Sequence, residues 1–97
     1  MKQITTTELK KWQAEGKDFQ LVDMREQWER ELYNIGGIHL PMGELISRLN
    51  ELPKNKDVVM YCEKGIRSVL AIQRLEASGF NNLFNLAGGM KAWKEAQ

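Results

Sequence analysis

Apolar positions along the chain switch repeatedly between helical and strand spacing. Ile4 and Leu9 flank Thr5-x-x-Glu8, the arrangement of a capping box with its hydrophobic staple, so a helix is predicted from there to about Glu15, stopped by Gly16. Phe19-Gln20-Leu21-Val22-Asp23 reads as a short buried strand, followed by a polar helical turn from Glu26 to Glu31. Ile38-His39-Leu40 predicts another short strand, closed by Pro41. Leu45, Leu49 and Leu52 recur at helical spacing with Ile46 beside them, which predicts a helix from Met42 to about Leu52, ended by Pro53 and followed by a solvated turn to Asp57. Val58-Val59-Met60-Tyr61 is the best strand in the chain, β-branched at its start and apolar throughout, as a central parallel strand covered on both faces requires. From Ser68 the pattern turns helical through Val69, Ile72 and Leu75, with Gly79 where a left-handed cap belongs. A last strand, Asn82 to Leu86, leads through Gly88-Gly89 into a terminal helix carrying Trp93. Such alternation predicts an α/β fold.

Length and composition narrow the class. With 97 residues and no repeat, low-complexity tract or linker, one domain over 1–97 is expected. Hydrophobic residues at 42% and charged residues at 28% exclude disorder as the main state. Fourteen basic and thirteen acidic residues are interspersed and leave a formal charge of +1, which argues against a nucleic-acid partner. No apolar run approaches the roughly 18–20 residues of a membrane span, and Met1-Lys2-Gln3-Ile4-Thr5 does not open a signal peptide, so a cytoplasmic location without membrane contact is expected. One cysteine, Cys62, and one histidine, His39, allow neither an internal disulfide nor a Cys/His zinc site built from this chain alone. Cys62 is therefore either a small buried residue or the chemistry.

The informative stretch runs Tyr61-Cys62-Glu63-Lys64-Gly65-Ile66-Arg67-Ser68: the end of a buried strand, a short glycine-containing loop, then a helix start. In an open α/β sheet ligands bind beyond the carboxyl ends of the strands, and a loop turning directly into a helix gathers free backbone N–H groups at one spot. A sulfur opening this loop is expected to face those N–H groups, the positive helix end and the Arg67 guanidinium, all of which favour thiolate over thiol.

This loop resembles the active-site loop of single-domain rhodanese sulfurtransferases. Two flanking segments agree: Leu21-Val22-Asp23-Met24-Arg25-Glu26 with Trp28-Glu29 resembles the family's Asp-x-Arg-Glu motif, and Gly88-Gly89-Met90-Lys91-Ala92-Trp93 resembles its closing Gly-Gly-x-x-x-Trp motif. The resemblance spans nearly the whole chain. It implies a roughly five-stranded, mainly parallel sheet with helices on both faces. The activity it implies is the transfer of a sulfane sulfur, from thiosulfate or a persulfide to a thiol or other thiophilic acceptor, through a persulfide on Cys62. Glu63, Lys64, Gly65, Ile66, Arg67 and Ser68 form the substrate and persulfide loop in this reading. No organic cofactor or metal is implied. With no second cysteine to resolve the persulfide, the acceptor is an external small molecule or protein.

The chain departs from the family where Gly-His-Ile-x-Gly-Ala is usual: here it reads Leu32-Tyr33-Asn34-Ile35-Gly36-Gly37. Glu63, directly after the cysteine, is unfavourable to a dianion such as thiosulfate, which makes a persulfide an equal candidate donor. Two other functions compete. A docking or regulatory module would keep the fold without using the thiol; a cysteine phosphatase or arsenate reductase would need Cys-x5-Arg around an oxyanion, whereas Cys62 to Arg67 is Cys-x4-Arg. Several residues have plainer expected roles. Asp23 and Arg25 are expected to tie neighbouring loops together, Gly65 to serve backbone geometry, and Ser68 to cap the helix first and bind ligand second. His39 is read as a core or edge residue, and Trp12, Trp28 and Trp93 as core or rim packing.

Overall fold

A computed structural model describes residues 1–96; Gln97, the last residue of the expected domain, lies outside the described residues. Its elements are β1 (Lys2–Ile4), α1 (Thr6–Ala14), β2 (Phe19–Asp23), α2 (Gln27–Leu32), β3 (Ile38–His39), β4 (Asp57–Tyr61), α3 (Ile66–Ala77), β5 (Leu83–Leu86) and α4 (Gly89–Glu95). The five strands form one sheet in the order β1-β5-β4-β2-β3, every pairing parallel. The α/β expectation and its five parallel strands are met. β1 is not among the strands read from the sequence: Lys2-Gln3-Ile4 is three residues long, polar at two of them, and is recruited by its partner, with Gln3 opposite Asn85.

Side-chain alternation along the strands divides the core. Val22, Met24, Val58, Met60 and Cys62 face one side, packing with Ala71, Ile72 and Leu75 of α3. Leu21, Val59 and Tyr61 face the other, packing with Leu9 of α1 and with Met90 and Trp93 of α4. Cys62 thus inherits its direction from the pleat of β4, two residues beyond Met60. The chain leaves β2 towards β3 on one side of the sheet and leaves β4 towards β5 on the other, so the carboxyl ends of β2 and β4 border a topological switch point. Met24 N–H donates to Tyr61 O at 2.8 Å and keeps the two strand ends together there.

Local signals explain most boundaries. Thr5 and Glu8 form the reciprocal capping box, at 2.9 and 3.1 Å, and Ile4 and Leu9 are both buried. Gly79 takes φ +101 after α3. The predicted helix from Met42 to Leu52 is instead two short 3₁₀ turns, Met42–Glu44 and Leu49–Glu51. Gly43, Ser47 and Asn50 are poor helix formers, Ser47 Oγ donates to Glu44 O, and Arg48 has left helical geometry at φ −120. Leu45 and Leu52 still reach the core from these turns, while Ile46 stays exposed. Among the described residues no helix is long and apolar enough to cross a membrane.

Candidate active site

Cys62 follows β4 directly and is fully buried, at the floor of a hollow of about 370 Å³ lined also by Glu29, Glu63, Lys64, Ile66 and Arg67. Gly65 N–H donates to its Sγ at 3.1 Å and Ser68 N–H at 3.4 Å. These are the N-cap amide and an amide in the first turn of α3, groups with no partner inside a helix, so the sulfur completes the helix terminus. Gly65 makes the turn possible at φ +88, and a Cβ there would crowd Gly88 N at 3.3 Å.

The loop is held from the opposite side by α4. Met90 N–H donates to Cys62 O and Lys91 N–H to Glu63 O, both at 2.9 Å. A trans peptide carries its C=O and N–H on opposite sides, so pinning these carbonyls turns the Glu63 and Lys64 N–H groups away from α4. Gly88 and Gly89 permit this approach: Gly89 sits at φ +59, and a Cβ on it would lie 2.4 Å from Cys62 O and 2.8 Å from Glu63 C and O. Gly89→Ala is expected to cost about 3 kcal/mol, about 1–2 from the left-handed backbone and the rest from the clash. At about 4–8 °C per kcal/mol for a domain of this size, the melting temperature falls by at least about 12 °C in a circular dichroism melt; a shift of a degree or two would refute the contact.

Ser68 differs from expectation. It is not the helix cap, which is Gly65, but a buried residue in the first turn of α3. Its Oγ lies 3.4 Å from Cys62 Sγ and donates to Asn85 Oδ1, while Asn85 Nδ2 donates to Gln3 Oε1 at 2.9 Å. Gln3 thereby fixes which face of the Asn85 amide meets Ser68. Asn85 was not singled out from the sequence; its one signal is a carboxamide in the buried register of an otherwise apolar strand.

Arg67 differs more. Its guanidinium does not aim its donors at the sulfur: Nη1 and Nη2 donate to Glu29 Oε1 and Oε2 at 2.7 and 2.8 Å, a two-pronged pair. Glu29 Oε1 also accepts Glu26 N–H at 3.0 Å, as part of the capping box of α2. The Arg67 hydrogen bond, opposed by burial and aided by the Glu26 amide, holds the Glu29 carboxyl below the usual glutamate range. The same pairing raises Arg67 above the usual arginine range. Both groups therefore stay ionised at neutral pH, and the pair is lost only as pH falls through the lowered Glu29 value. Glu29 appeared in the sequence only as a motif neighbour, because the 38-residue separation of this pair hides it.

The charge of Glu63, expected to repel dianions, is met by Arg25 Nη1 at 3.2 Å and Lys94 Nζ at 3.3 Å. Lys64 is exposed at the mouth of the hollow, and Ile66 opens α3 with its side chain largely in solvent. Asp23 and Arg25, both buried, lie behind the loop. Asp23 accepts from Arg25 Nε, Nη2 and backbone N–H at 3.0, 3.1 and 3.0 Å, and from Arg30 Nη1 at 3.2 Å. Arg25 Nη2 also donates to Tyr33 O at 2.6 Å, which fastens the atypical Leu32–Gly37 segment to the site. Burial acts to lower the Arg25 pKa, but the bonds and charge of Asp23 outweigh it and raise the value. Burial, with the nearby Asp23 charge, pushes the Tyr61 hydroxyl up to about 12.

His39 Nε2 bonds to Arg25 O at 2.6 Å, in the strand register opposite Asp23. Trp93 packs in the core, and Trp12 packs edge-on against Phe84. Trp28 departs from the packing expectation: it is 65% exposed, because α2 is a short helix that buries no residue and meets the body of the protein through Glu29 and Arg30.

Residues 5–96 match the family model described as "Rhodanese-like domain". A protein named "Sulfurtransferase" from Allochromatium vinosum is 37% identical over 92 residues, covering 94% of this chain and 86% of that protein. The "Probable adenylyltransferase/sulfurtransferase MoeZ" of Mycobacterium tuberculosis is 34% identical over 93 residues, covering 93% of this chain, which spans only 24% of that longer protein. Among solved structures, a rhodanese-like domain protein from Staphylococcus aureus superposes with a TM-score of 0.88 at 38% identity, over 96% of this chain and 91% of that one.

Proposed function

We propose that this chain, which belongs to the rhodanese-like domain family, acts as a sulfurtransferase that carries sulfane sulfur on Cys62 between an external donor and an external thiophilic acceptor. The observation that supports this most directly is the pair of helix-start amides, Gly65 N–H and Ser68 N–H, converging on Sγ at the floor of an open hollow.

In the first half-reaction the Cys62 thiolate attacks the sulfane sulfur of a thiosulfate or persulfide donor. The Sγ–S bond forms, the donor's S–S bond breaks, and the leaving sulfite or thiolate departs with the electron pair. Backbone donors at the start of α3 stabilise negative charge on sulfur better than water does, because they are already oriented when the charge arrives. In the second half-reaction a thiolate or cyanide attacks the terminal sulfur, and the Cys62 thiolate is released with the electron pair of the broken bond. Asp23 and Arg25 serve as supports: Asp23 holds Arg25, and Arg25 donates to Glu63 and to the Tyr33 carbonyl, and through them holds the walls of the site. A phosphatase reading gains no support from this arrangement, since Arg67, the cation it needs for a phosphoryl dianion, is held by Glu29.

Intact-mass spectrometry tests the proposal. After incubation with thiosulfate or cysteine persulfide, the protein is expected to gain about 32 Da, one sulfur atom, and to lose it on addition of cyanide as thiocyanate forms. A chain that takes up no sulfur from either donor would be a binding module instead.

A further inference from the structure

The hollow above Cys62 holds two cations and two carboxylates: Lys64, Arg67, Glu29 and Glu63. Their pairings decide what can enter. Glu63 is matched by Arg25 and Lys94 from behind the loop. Arg67, the cation best shaped to grip an oxyanion, has both terminal nitrogens on Glu29. Glu29 is itself anchored by the Glu26 amide and is mostly buried, so the pair is preorganised. Among the described residues Lys64 is the lining cation with no ion pair.

We propose that Glu29 determines donor specificity at this site: by occupying the Arg67 guanidinium it denies thiosulfate a grip for its sulfonate oxygens, so the hollow selects persulfides of thiols, whose leaving sulfur bears no oxygen atoms. This rests on the sulfurtransferase reading and deepens it. Thiosulfate brings two negative charges beside a thiolate, and the sulfite it leaves behind carries both away, so its passage needs a cation directed at the oxygens throughout; Lys64, exposed at the mouth, is a flexible point charge and does not replace the planar two-pronged grip of Arg67. A persulfide R–S–SH needs none: Sγ bonds to the outer sulfur, the S–S bond of the donor breaks and R–S⁻ leaves with the electron pair; the Cys62–S–SH so formed then gives its proton to solvent, and the amides at the start of α3 hold the resulting charge. Glu29 acts through Arg67 and is a positioning residue.

The experiment compares kcat and KM for thiosulfate and for cysteine persulfide, with cyanide as the common acceptor, in the wild-type chain and in Glu29→Gln. Wild type is expected to show the higher kcat/KM with the persulfide. Glu29→Gln removes one of the two carboxylate oxygens holding Arg67 and is expected to lower KM for thiosulfate by about tenfold or more, the worth of a charge-assisted hydrogen bond. A purely structural role for Glu29 would instead lower kcat for both donors together. A wild-type preference for thiosulfate, or a thiosulfate KM that stays or rises in the variant, overturns the proposal.

A second measurement needs no variant. Inorganic sulfate, a dianion of similar shape, is expected not to compete with the persulfide in the wild-type protein at millimolar concentration. Competitive inhibition there would show Arg67 free for oxyanions and overturn the proposal as well. Failure of both donors to load Cys62 would sink the sulfurtransferase reading itself, whereas loading by both with no preference would sink only the role of Glu29.

Discussion

Cys62→Ser is expected to lose sulfur uptake altogether, with no gain of about 32 Da from any donor and a fall in thiocyanate formation of at least about three orders of magnitude. The substitution exchanges one atom and keeps the side chain's size, so the fold should survive. What disappears is the nucleophile: a serine hydroxyl is essentially un-ionised at neutral pH, and oxygen does not form the polarisable S–S bond on which the exchange depends. The loop amides of Gly65 and Ser68 would still converge on the position, now with only a neutral hydroxyl to bind. Because Cys62 is the one cysteine in the sequence, no other thiol can take its place. Residual turnover in the variant above that of the donor and cyanide alone would locate the chemistry elsewhere and end the proposal.

Asp23→Asn should be the most destabilising of the substitutions considered. Asp23 is a buried carboxylate that receives four hydrogen bonds, three from Arg25 and one from Arg30. The amide keeps one acceptor oxygen and turns an NH₂ group toward a guanidinium, leaving Arg25 charged, buried and under-paired. Breaking a buried pair from one side typically costs about 3–5 kcal/mol, a large share of the 5–15 kcal/mol that stabilises a typical domain. The expected fall in melting temperature is about 12 °C or more, read by calorimetry. The loss reaches the site as well, since Arg25 also holds Glu63 and the carbonyl of Tyr33. A melting temperature within a few degrees of wild type would mean that the Asp23–Arg25 pair contributes little to folding.

Legibility in the sequence followed the range of the interactions. The α1 cap, the stop at Gly79 and strand β4 depend on residues within a few positions of each other, and each was readable. The span from Met42 to Leu52 has helical leucine spacing yet forms no α-helix, because leucine spacing alone does not make one. Gly43, Ser47 and Asn50 weaken it, and two short turns already deliver Leu45 and Leu52 to the core. Strand β1 escaped notice because three residues carry no period of their own and are strand only by pairing with β5. At the site, the glycines and the cysteine announced themselves, while Glu29 and Asn85 did not: their partners, Arg67 and Ser68, lie 38 and 17 residues away.

By itself the sequence determined the alternating α/β plan and the position of the thiol at the end of a buried strand, because these rest on local periodicity, and the family through the resemblance of three contiguous motifs. Only the tertiary structure decided where the charges go. It spends Arg67 on Glu29, Glu63 on Arg25 and Lys94, and Ser68 on Asn85. Ion pairing and hydrogen bonding depend on distances of a few ångströms between elements, and chain order does not set those distances until the sheet has brought the ends of β2, β4 and β5 together.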